Sequence, residues 1–328
     1  MEVLVQPLNR TVRVEAGGNL LEALLAAQVP MSHSCMAGRC GTCRCRLVDG
    51  EVLDGGQEQQ RPLDSREDYI LACRTFITEP CTIEIPEPDE IVVHPARTIK
   101  ATVTAIEDLT HDIKRLMLKP AKPIEYSPGQ YAQLQFTAEH SRPYSMAGLA
   151  GDGHFEFHVR LVPDGRVTGY ISRALQIGDA VKLSGPLGSA YLRRKHEGPM
   201  LCVAGGTGLA PILSILRGAI AEGMRNPVHV YLGVRSPQDV YGLAWLQALQ
   251  RGHAAIRVHV VVTSGGDPAR HRCGMVTDAI ESDFEDLTGF RAYLCGSPPM
   301  VEAATLLARR KGIDPRHVHA DAFYAQGH

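Results

Sequence analysis

The N-terminal part of the chain alternates between short apolar runs and turn residues, with one amphipathic segment among them. Residues 2–14 hold two strand-like runs, and a third strand-like region lies at 44–53. Residues 19–30 have helical periodicity, with Asn19 as the N-cap and a proline at the end. The stretch 86–97 (PEPDEIVVHPAR) is rich in proline and charge, which predicts an interdomain linker.

The pattern changes twice further along the chain. From about Thr98 it consists of strand-like runs separated by glycine and proline turns, which predicts a small antiparallel barrel or sandwich. After Pro199, strand-like runs alternate with helical runs, which predicts a parallel sheet flanked by helices. We therefore predict a multidomain protein with domains at residues 1–90, 96–195 and 196–328.

Composition favours a globular chain without a membrane anchor. The 328 residues are 44% hydrophobic and 21% charged, without low-complexity stretches. Residues 198–216 carry no charge and are long enough to cross a bilayer, but several glycines and Pro211 interrupt them. A buried strand, a turn and the start of a helix fit this stretch better. With no export signal at the N-terminus, we expect a soluble cytoplasmic protein.

Charge is distributed unevenly. Residues 1–95 carry 15 acidic and 8 basic side chains, a net charge of −7, whereas the rest of the chain carries +5. No run of lysine and arginine suggests nucleic-acid binding. The acidic N-terminal third is either an ordinary solvated surface or a region that steers protein partners.

Four of the nine cysteines fall within the eleven-residue stretch CMAGRCGTCRC. Cys35, Cys40 and Cys43 have the spacing C-x4-C-x2-C, and Cys73 follows after 29 further residues. This is the spacing of plant-type [2Fe–2S] ferredoxins, in which one loop supplies three thiolates and another segment supplies the fourth. We predict these four cysteines as ligands of a [2Fe–2S] cluster.

The same residues allow two alternatives to this assignment. A structural zinc site usually takes C-x2-C pairs, and only Cys40 and Cys43 form one. Cys45 competes for a ligand role, but in an extended chain it would face away from Cys43. Gly38 and Gly41 allow the tight loop that a cluster requires.

The stretch 142–148 (RPYSMAG) lies between two predicted barrel strands and is interpreted as a loop. On their own, Arg142 could be a surface cation and Tyr144 a core aromatic. Beside an iron–sulfur site, the combination suggests a flavin pocket. Arg142 would then pair with a phosphate, Tyr144 would lie against the isoalloxazine ring, and Ser145 would bond near the reactive N5.

Two further glycine-containing stretches follow in the same part of the chain. In GRVTGYI, Gly165 and Thr168 offer a backbone and a hydroxyl donor to a pyrophosphate at the start of a helix. The stretch 185–188 (GPLG) predicts a turn and is assigned no ligand.

The stretch 202–211 (CVAGGTGLAP) follows a buried strand and opens a helix, the setting of a dinucleotide-binding loop. Its candidate nucleotide contacts are Gly205, Gly206, Thr207 and Gly208. Because the spacing differs from G-x-G-x-x-G, a tight turn without a ligand is the alternative. Cys295 and Gly296 end a later strand, where open α/β sheets bind their ligands.

Together, these motifs resemble the ferredoxin–NAD(P)H reductase components of bacterial ring-hydroxylating dioxygenases, most closely the naphthalene 1,2-dioxygenase type. The resemblance covers essentially the whole chain and rests on the order CMAGRCGTC, RPYS, GGTGLAP and CG, with HPAR, SGPLG, GPMLCV and the terminal ADAFY. It implies a β-grasp [2Fe–2S] ferredoxin domain, an antiparallel β-barrel FAD domain and an α/β parallel-sheet NAD(P)-binding domain. It also implies FAD rather than FMN.

The resemblance further implies an electron-transfer flavoprotein. Hydride would pass from the nicotinamide of NAD(P)H near Cys295 to the flavin near Ser145, and electrons would leave singly through the [2Fe–2S] cluster. The expected acceptor is a Rieske-type ferredoxin that feeds an aromatic-ring oxygenase. The reductase of a two-component oxygenase or of a diiron monooxygenase, which donates directly to the oxygenase, would carry the same motifs. A non-enzymatic iron–sulfur sensor is the alternative from another class.

Two further stretches concern the choice of nucleotide and the open face of the flavin. Arg235 and Ser236 follow a predicted strand near a possible 2′-phosphate, which leaves NADH and NADPH both open. The stretch 316–323 (RHVHADAF) predicts a final strand of the sheet. We expect Phe323 to cover the open face of the flavin, and Tyr324 to point away. A frayed tail is the alternative.

Overall fold

The computed structural model shows a chain organised as two compact units. It describes residues 1–31, 38, 43–55, 69–85, 94–269 and 271–324. The first unit comprises Met1–His94 with Leu187–Ser189, and the second comprises Pro95–Pro186 with Ala190–His328.

In its described residues, the first unit is built from β-strands and one α-helix. Its elements are β1 (Glu2–Gln6), β2 (Arg10–Arg13), β3 (Gly18–Asn19), α1 (Leu20–Ala26), β4 (Arg44–Asp49), β5 (Leu53–Asp54), β6 (Tyr69–Leu71), β7 (Thr75–Ile77) and β8 (Cys81–Glu84). Five strands form a sheet in the order β2-β1-β8-β4-β6, in which β1 pairs antiparallel with β2 and parallel with β8. A small second sheet has the order β3-β7-β5. This is the predicted β-grasp fold.

Helix α1 forms where the apolar periodicity predicts a helix. The Asn19 side chain caps it by accepting a hydrogen bond from the backbone N–H of Glu22 at 3.2 Å. The leucines of its apolar face are fully buried in the core of the unit: Leu20, Leu21 and Leu24. The helix ends at Ala26, earlier than the predicted proline stop.

The second unit begins with a six-stranded antiparallel barrel. Its elements are β9 (Arg97–Asp108), β10 (Ile113–Pro120), β11 (Tyr131–Gln135), β12 (Ser141–Ser145), β13 (Phe155–Arg160), α2 (Arg166–Arg173) and β14 (Ala180–Leu187). The strand order is β12-β11-β14-β9-β10-β13, and a bridge between Met146 and Phe157 joins the two ends. The barrel expected from the run of strands is therefore confirmed.

Two stretches interpreted as a loop and a turn are strands instead. The RPYS residues belong to β12, and β14 continues through Gly185 and Pro186 to Leu187. Proline suggested irregular backbone in both places. Pro143 has no backbone N–H to donate. Strand β12 tolerates this because it is the terminal strand in the sheet order and pairs along its length with β11, so that its other edge needs fewer backbone donors.

The rest of the second unit is a parallel sheet between two layers of helices. Its strands are β15 (Met200–Gly205), β16 (Val228–Val234), β17 (Ile256–Val262), β18 (Arg272–Cys273), β19 (Arg291–Gly296) and β20 (Val318–Ala322). Its helices are α3 (Leu209–Ala221), α4 (Leu243–Gly252), α5 (Val276–Asp283) and α6 (Pro298–Arg310). The strand order is β18-β17-β16-β15-β19-β20. One apolar core lies against α3 and α4, and another lies against α5 and α6.

The uncharged stretch 198–216 is not a membrane span. It forms β15, a tight 3-10 turn and the first part of α3, as the glycines and Pro211 predict. In the described part of the chain, no helix has both the length and the apolar character needed to cross a membrane.

Candidate functional site

Two of the four predicted cluster ligands lie within the described residues, and they lie together. The backbone N–H of Cys73 donates to Cys43 Sγ at 3.4 Å, and the N–H of Gly38 donates to Cys73 Sγ at 3.2 Å. Backbone donors that point at sulfur stabilise metal-bound thiolates, so this arrangement fits a [2Fe–2S] cluster. Cys35 and Cys40 lie outside the described residues.

Cys45 lies in the core of the first unit. It is 1% exposed and packs among apolar side chains. Burial, together with Cys43 and Cys81 nearby, raises the pKa of its thiol far above the usual range. Backbone N–H groups point at the sulfur atoms of Cys43 and Cys73, which supports these two residues as ligands.

In the second unit, the barrel motif meets the end of the parallel sheet through a hydrogen bond. Ser145 is the last residue of β12, and its Oγ donates to Asp321 Oδ2 at 3.2 Å. Asp321 lies in β20, opposite Cys295 of β19 in the parallel register. In-register neighbours point to the same face of a sheet, so Ser145, Cys295 and Asp321 converge.

No sequence motif indicated Asp321 as a site residue. Burial raises the pKa of its carboxyl to about 6, although the hydrogen bond from Ser145 opposes the shift. Its residue type offered a signal, since a lone carboxylate stands between alanines in the predicted final strand. Only the fold, however, brings it to Ser145, which is 176 residues away in the chain.

We expect Asp321 to make the stability of the protein depend on pH, and we expect an asparagine at this position to remove that dependence. Its folded pKa of about 6 exceeds the ordinary value of 3.8, so the folded state binds more protons between these values, and stability falls as pH rises through this window. We expect Asp321→Asn to abolish that fall in denaturant titrations from about pH 4 to pH 7. Glu285→Gln, an exposed carboxylate in the same unit, should keep the wild-type curve. Coincident curves for wild type and Asp321→Asn would contradict the assignment.

Cys295 is fully buried beside Asp321. Burial raises the pKa of its thiol well above the usual value, and the nearby Asp321 and Cys202 add to the shift. The thiol therefore stays neutral, and it offers a small, polarisable surface rather than a charge. This suits contact with an uncharged ring better than proton transfer.

The two glycine motifs of the sheet pack against each other through their backbones. A Cβ atom on Gly208 would lie 2.0 Å from the carbonyl oxygen of Cys295, and one on Gly296 would lie 3.0 Å from the backbone nitrogen of Gly205. Gly206 and Gly296 also have positive φ angles, 54° and 147°. Side chains at Gly208 and Gly296 would collide with neighbouring backbone, so glycine is what lets the loop and the end of β19 pack closely. A glycine-rich backbone at the start of a helix also lets phosphates approach closely, which suits a nucleotide site.

The structure places the predicted flavin contacts along β12 and at the start of α2. Arg142 donates from Nη1 to the carbonyl of Ser141 at 3.1 Å. Tyr144 packs against the barrel core, and burial raises the pKa of its phenol far above the usual range. Gly165 is the N-cap residue of α2, and Thr168 Oγ1 donates to the carbonyl of Val162 at 3.3 Å. These four roles remain predictions.

The C-terminal stretch forms the predicted final strand, β20. Past its end, the backbone N–H of Phe323 donates to the carbonyl of Gly296 at 2.8 Å. Phe323 is half-buried, whereas Tyr324 is 61% exposed. Alternation along the strand gives Phe323 the same face as Asp321. Its role against the flavin remains a prediction.

The two candidates for a 2′-phosphate contact are bonded within the protein. Arg235 Nη2 lies 3.3 Å from Asp112 Oδ2 and 3.5 Å from Asp239 Oδ1. Ser236 Oγ donates to Asp239 Oδ2 at 2.8 Å. A phosphate at this turn would have to compete with these carboxylates.

The fold and the site define a class of protein, an oxidoreductase with iron–sulfur, flavin and nicotinamide domains. Three family models match in chain order: a 2Fe-2S iron-sulfur cluster binding domain at residues 3–78, an oxidoreductase FAD-binding domain at 100–191 and an oxidoreductase NAD-binding domain at 202–305. The cofactors are therefore a [2Fe–2S] cluster, FAD and NAD(P)H, as the motifs predict.

Comparison with curated proteins identifies the family. The chain is 57% identical over 327 residues to the reductase component of the naphthalene 1,2-dioxygenase/salicylate 5-hydroxylase systems of Ralstonia sp.. It is 55% identical over 327 residues to the reductase component of the naphthalene 1,2-dioxygenase system of Pseudomonas putida. Both matches cover 100% of each chain. The chain belongs to the ferredoxin–NAD(P)+ reductase components of bacterial oxygenase systems, which confirms the resemblance seen in the motifs.

Solved structures agree with this family. The chain superposes on an Amycolatopsis cytochrome P450 reductase with a TM-score of 0.73 at 35% identity. It superposes on the ferredoxin reductase in carbazole 1,9a-dioxygenase with a TM-score of 0.68 at 26% identity. Each comparison covers 98% of both chains.

Proposed function

We propose that this reductase passes electrons from NAD(P)H, through FAD and the [2Fe–2S] cluster, to a Rieske-type ferredoxin that feeds an aromatic-ring-hydroxylating dioxygenase. The observation that carries the proposal is the Ser145–Asp321 hydrogen bond beside Cys295, which joins the barrel motif to the nucleotide edge of the sheet. When bound, FAD accepts two electrons as hydride and releases them singly, as a one-electron cluster requires. The naphthalene dioxygenase systems named for the relatives at 57% and 55% identity support the choice of acceptor.

At the flavin, we assign Ser145 and Asp321 to the control of one proton. An ionised Asp321 accepts a hydrogen bond from the hydroxyl of Ser145, so the serine proton is not available to another acceptor. A protonated Asp321 can itself donate to Ser145 Oγ, which frees the serine proton for a flavin nitrogen. The pKa of about 6 makes both forms accessible near neutral pH.

The remaining cofactor contacts follow from position and chemistry. Arg142 would pair with a flavin phosphate, Tyr144 would lie against the ring, and the start of α2 at Gly165 and Thr168 would face the pyrophosphate. On the nucleotide side, the contacts are assigned to Gly205, Gly206, Thr207, Gly208, Cys295 and Gly296. Phe323 would cover the ring face that the nicotinamide must reach, and would exclude water until the nucleotide enters.

In the first unit, we assign the cluster to Cys35, Cys40, Cys43 and Cys73. The N–H···S bonds at Cys43 and Cys73 support two of these ligands. They also stabilise negative charge on sulfur, which favours binding of the cluster in both of its oxidation states. The net charge of −7 over residues 1–95 is suited to steering a partner of complementary charge.

The alternative proposal is direct donation to an oxygenase without a separate ferredoxin. Two relatives that match over nearly their full length support this alternative. They are the reductase subunit of an aromatic O-demethylase from Amycolatopsis, at 37% identity, and the reductase component of propane 2-monooxygenase from Mycolicibacterium smegmatis, at 32%. Neither name includes a ferredoxin, whereas the names of both naphthalene dioxygenase relatives do.

Reconstitution with defined acceptors separates the two proposals. With NAD(P)H and a dioxygenase present, we expect ring hydroxylation to depend on an added Rieske-type ferredoxin, and the ferredoxin to be reduced at rates that saturate with its concentration. The control omits the ferredoxin and supplies the oxygenase at the same concentration. Full hydroxylation in that control would overturn the ferredoxin proposal in favour of direct donation.

We also propose the domain limits 1–90, 96–195 and 196–328. A fragment of residues 96–328 is expected to fold, bind FAD and be bleached by NAD(P)H, because the second unit begins at Pro95 and has its own cores. Absorbance of the purified fragment, prepared with added FAD, measures this. An insoluble or colourless fragment would count against these limits.

A further inference from the structure

Helix α3 links the glycine loop to the barrel. It begins directly after the loop at 205–208, and most of its apolar side chains lie in one core of the parallel sheet: Leu209, Ile212, Leu213, Ile215 and Leu216. Three residues in its second half contact the barrel: Ser214, Arg217 and Gly218. Spacings of three and four residues place these three on one face of the helix. The helix therefore carries the position of the barrel to the start of the glycine loop.

Gly218 lets α3 approach the barrel closely. Glycine destabilises the interior of a helix relative to alanine, so a buried helical glycine is best explained by close packing. A Cβ atom on Gly218 would lie 2.4 Å from Cγ of Pro128 and 2.8 Å from its Cβ. Pro128 is itself buried, and its ring carbons are fixed to the backbone. The absence of a side chain at Gly218 thus sets the separation between α3 and the barrel.

The barrel turn that faces α3, residues 127–130, is held by its own hydrogen bonds. The N–H of Ser127 donates to Gln130 Oε1 at 2.8 Å, and the N–H of Gln130 donates to the carbonyl of Ser127 at 3.1 Å. The carbonyl of Gln130 accepts from the N–H of Met146 at 3.1 Å. Met146 directly follows Ser145, so the turn is bonded to the end of the candidate flavin strand.

A second barrel contact of α3 also lies close to Ser145. Ser214 is fully buried, and its Oγ donates to the carbonyl of Gly148, three residues after Ser145, at 2.6 Å. One helical turn further on, Arg217 Nη2 donates to Asp152 Oδ1 at 2.8 Å. The other carboxylate oxygen of Asp152 caps the turn of its own loop. Helix α3 is therefore seated on two barrel segments that both adjoin the candidate flavin site.

We propose that Ser214 and Gly218 are positioning residues for hydride transfer, which act by seating α3, and with it the glycine loop, at a fixed distance from the flavin. The inference rests on the proposed function, since it takes the flavin to lie at Ser145 and the nucleotide at the glycine loop. Both residues lie outside these two sites, so they affect how the cofactors meet rather than how tightly either one binds. Because the transfer needs its reacting atoms in near contact, a displaced helix should slow it.

Gly218→Ala is the first test, because its methyl group acts as a wedge. The helix and Pro128 must part by about 1 Å to bring the methyl carbon from 2.4 Å to the 3.4 Å at which ordinary contact begins. A misplacement of that size can cost about 100-fold in rate, and we expect flavin bleaching at saturating NADH or NADPH, measured by stopped-flow absorbance, to slow at least about tenfold. The FAD absorbance and the Kd of the oxidised nucleotide should stay at wild-type values.

Pro128→Gly provides a rescue of the wedge. It removes both ring carbons that the new methyl group would meet, and the remaining neighbour is the flexible end of the Leu192 side chain. Substitutions of residues in contact are non-additive when one relieves the clash that the other creates. We therefore expect the double variant Gly218→Ala/Pro128→Gly to bleach as fast as Pro128→Gly alone.

Ser214→Ala removes the second contact without adding volume. The buried carbonyl of Gly148 loses this donor, and we expect bleaching to slow by about threefold, with the Kd of the oxidised nucleotide unchanged. Gly151→Ala is the matched control for an added methyl group near the same contact. Gly151 is exposed, and a Cβ there meets nothing within 4 Å, so this variant should bleach at the wild-type rate.

The outcomes distinguish this inference from the proposed function. Bleaching at the wild-type rate in Gly218→Ala or in Ser214→Ala would overturn the positioning role of that residue while leaving the reductase function intact. Slow bleaching that Pro128→Gly does not relieve, or a rise in the Kd of the oxidised nucleotide that matches the loss of rate, would overturn it as well. A wild-type protein that neither binds NAD(P)+ nor is bleached by NAD(P)H would overturn both.

Discussion

Cys73→Ser is expected to abolish electron delivery to a one-electron protein acceptor and to leave the flavin half of the reaction working. Cys73 Sγ accepts a hydrogen bond from the N–H of Gly38, and its own N–H donates to Cys43, so the residue stands at the centre of the described part of the cluster site. Substitutions of groups that merely support a metal ligand often cost 10–100-fold, and loss of a ligand should cost at least about 100-fold. Acceptor reduction should fall by that factor, while NAD(P)H-dependent ferricyanide reduction stays within about twofold of wild type.

The matched control is Cys45→Ala. Cys45 is buried in the apolar core of the first unit, so alanine avoids placing a hydroxyl there. The visible spectrum of the cluster should persist in this variant. Loss of the cluster in Cys45→Ala, or its retention with full acceptor reduction in Cys73→Ser, would show that the ligands are assigned wrongly.

Gly208→Ala is expected to lower kcat/KM for NAD(P)H by about 100-fold, with the FAD and cluster spectra unchanged. Its Cβ would lie 2.0 Å from the carbonyl oxygen of Cys295, which is backbone and cannot move aside as a side chain can. The glycine loop and the end of β19 would have to separate. The nucleotide would then lose its position relative to Ser145 and Asp321. Steady-state kinetics with ferricyanide measures the loss.

Gly252→Ala is the control for an added methyl group in the same sheet domain. Gly252 is the last residue of α4, and a Cβ there meets nothing within 4 Å. Alanine also favours the helix, so activity and stability should be preserved or slightly improved. If Gly208→Ala retained wild-type kcat/KM, the loop would not be the nucleotide site.

Much of the fold was predictable because local patterns carry it. The periodicity of residues 20–26 and the Asn19 cap specify α1, and the alternation of strands and helices after Pro199 specifies a parallel sheet. Proline was misleading where strand position outweighed local preference. Pro143 suggested a loop, although it lies in a terminal barrel strand, where a missing N–H is tolerated.

The parts of the site that the sequence missed depend on contacts between distant segments. Asp321 becomes a candidate only when β20 pairs with β19 and meets β12, and no local pattern encodes that meeting. The alternation of Phe155 to Arg160 predicts a solvated polar face, yet the fold covers Glu156 and His158. Tyr241 and Trp245, from a distant part of the chain, pack against His158, and periodicity does not report such contacts.

The central claim is that a single chain takes two electrons from NAD(P)H at the barrel–sheet junction and releases them one at a time through the cluster. Anaerobic titration of the holoprotein with NAD(P)H, followed by absorbance and electron paramagnetic resonance, tests it most directly. We expect bleaching of the flavin and a signal from the reduced [2Fe–2S] cluster in the same titration, complete at about 1.5 equivalents, since FAD takes two electrons and the cluster takes one. A flavin that stays oxidised in excess NAD(P)H, or a cluster that stays oxidised while the flavin bleaches, would contradict it.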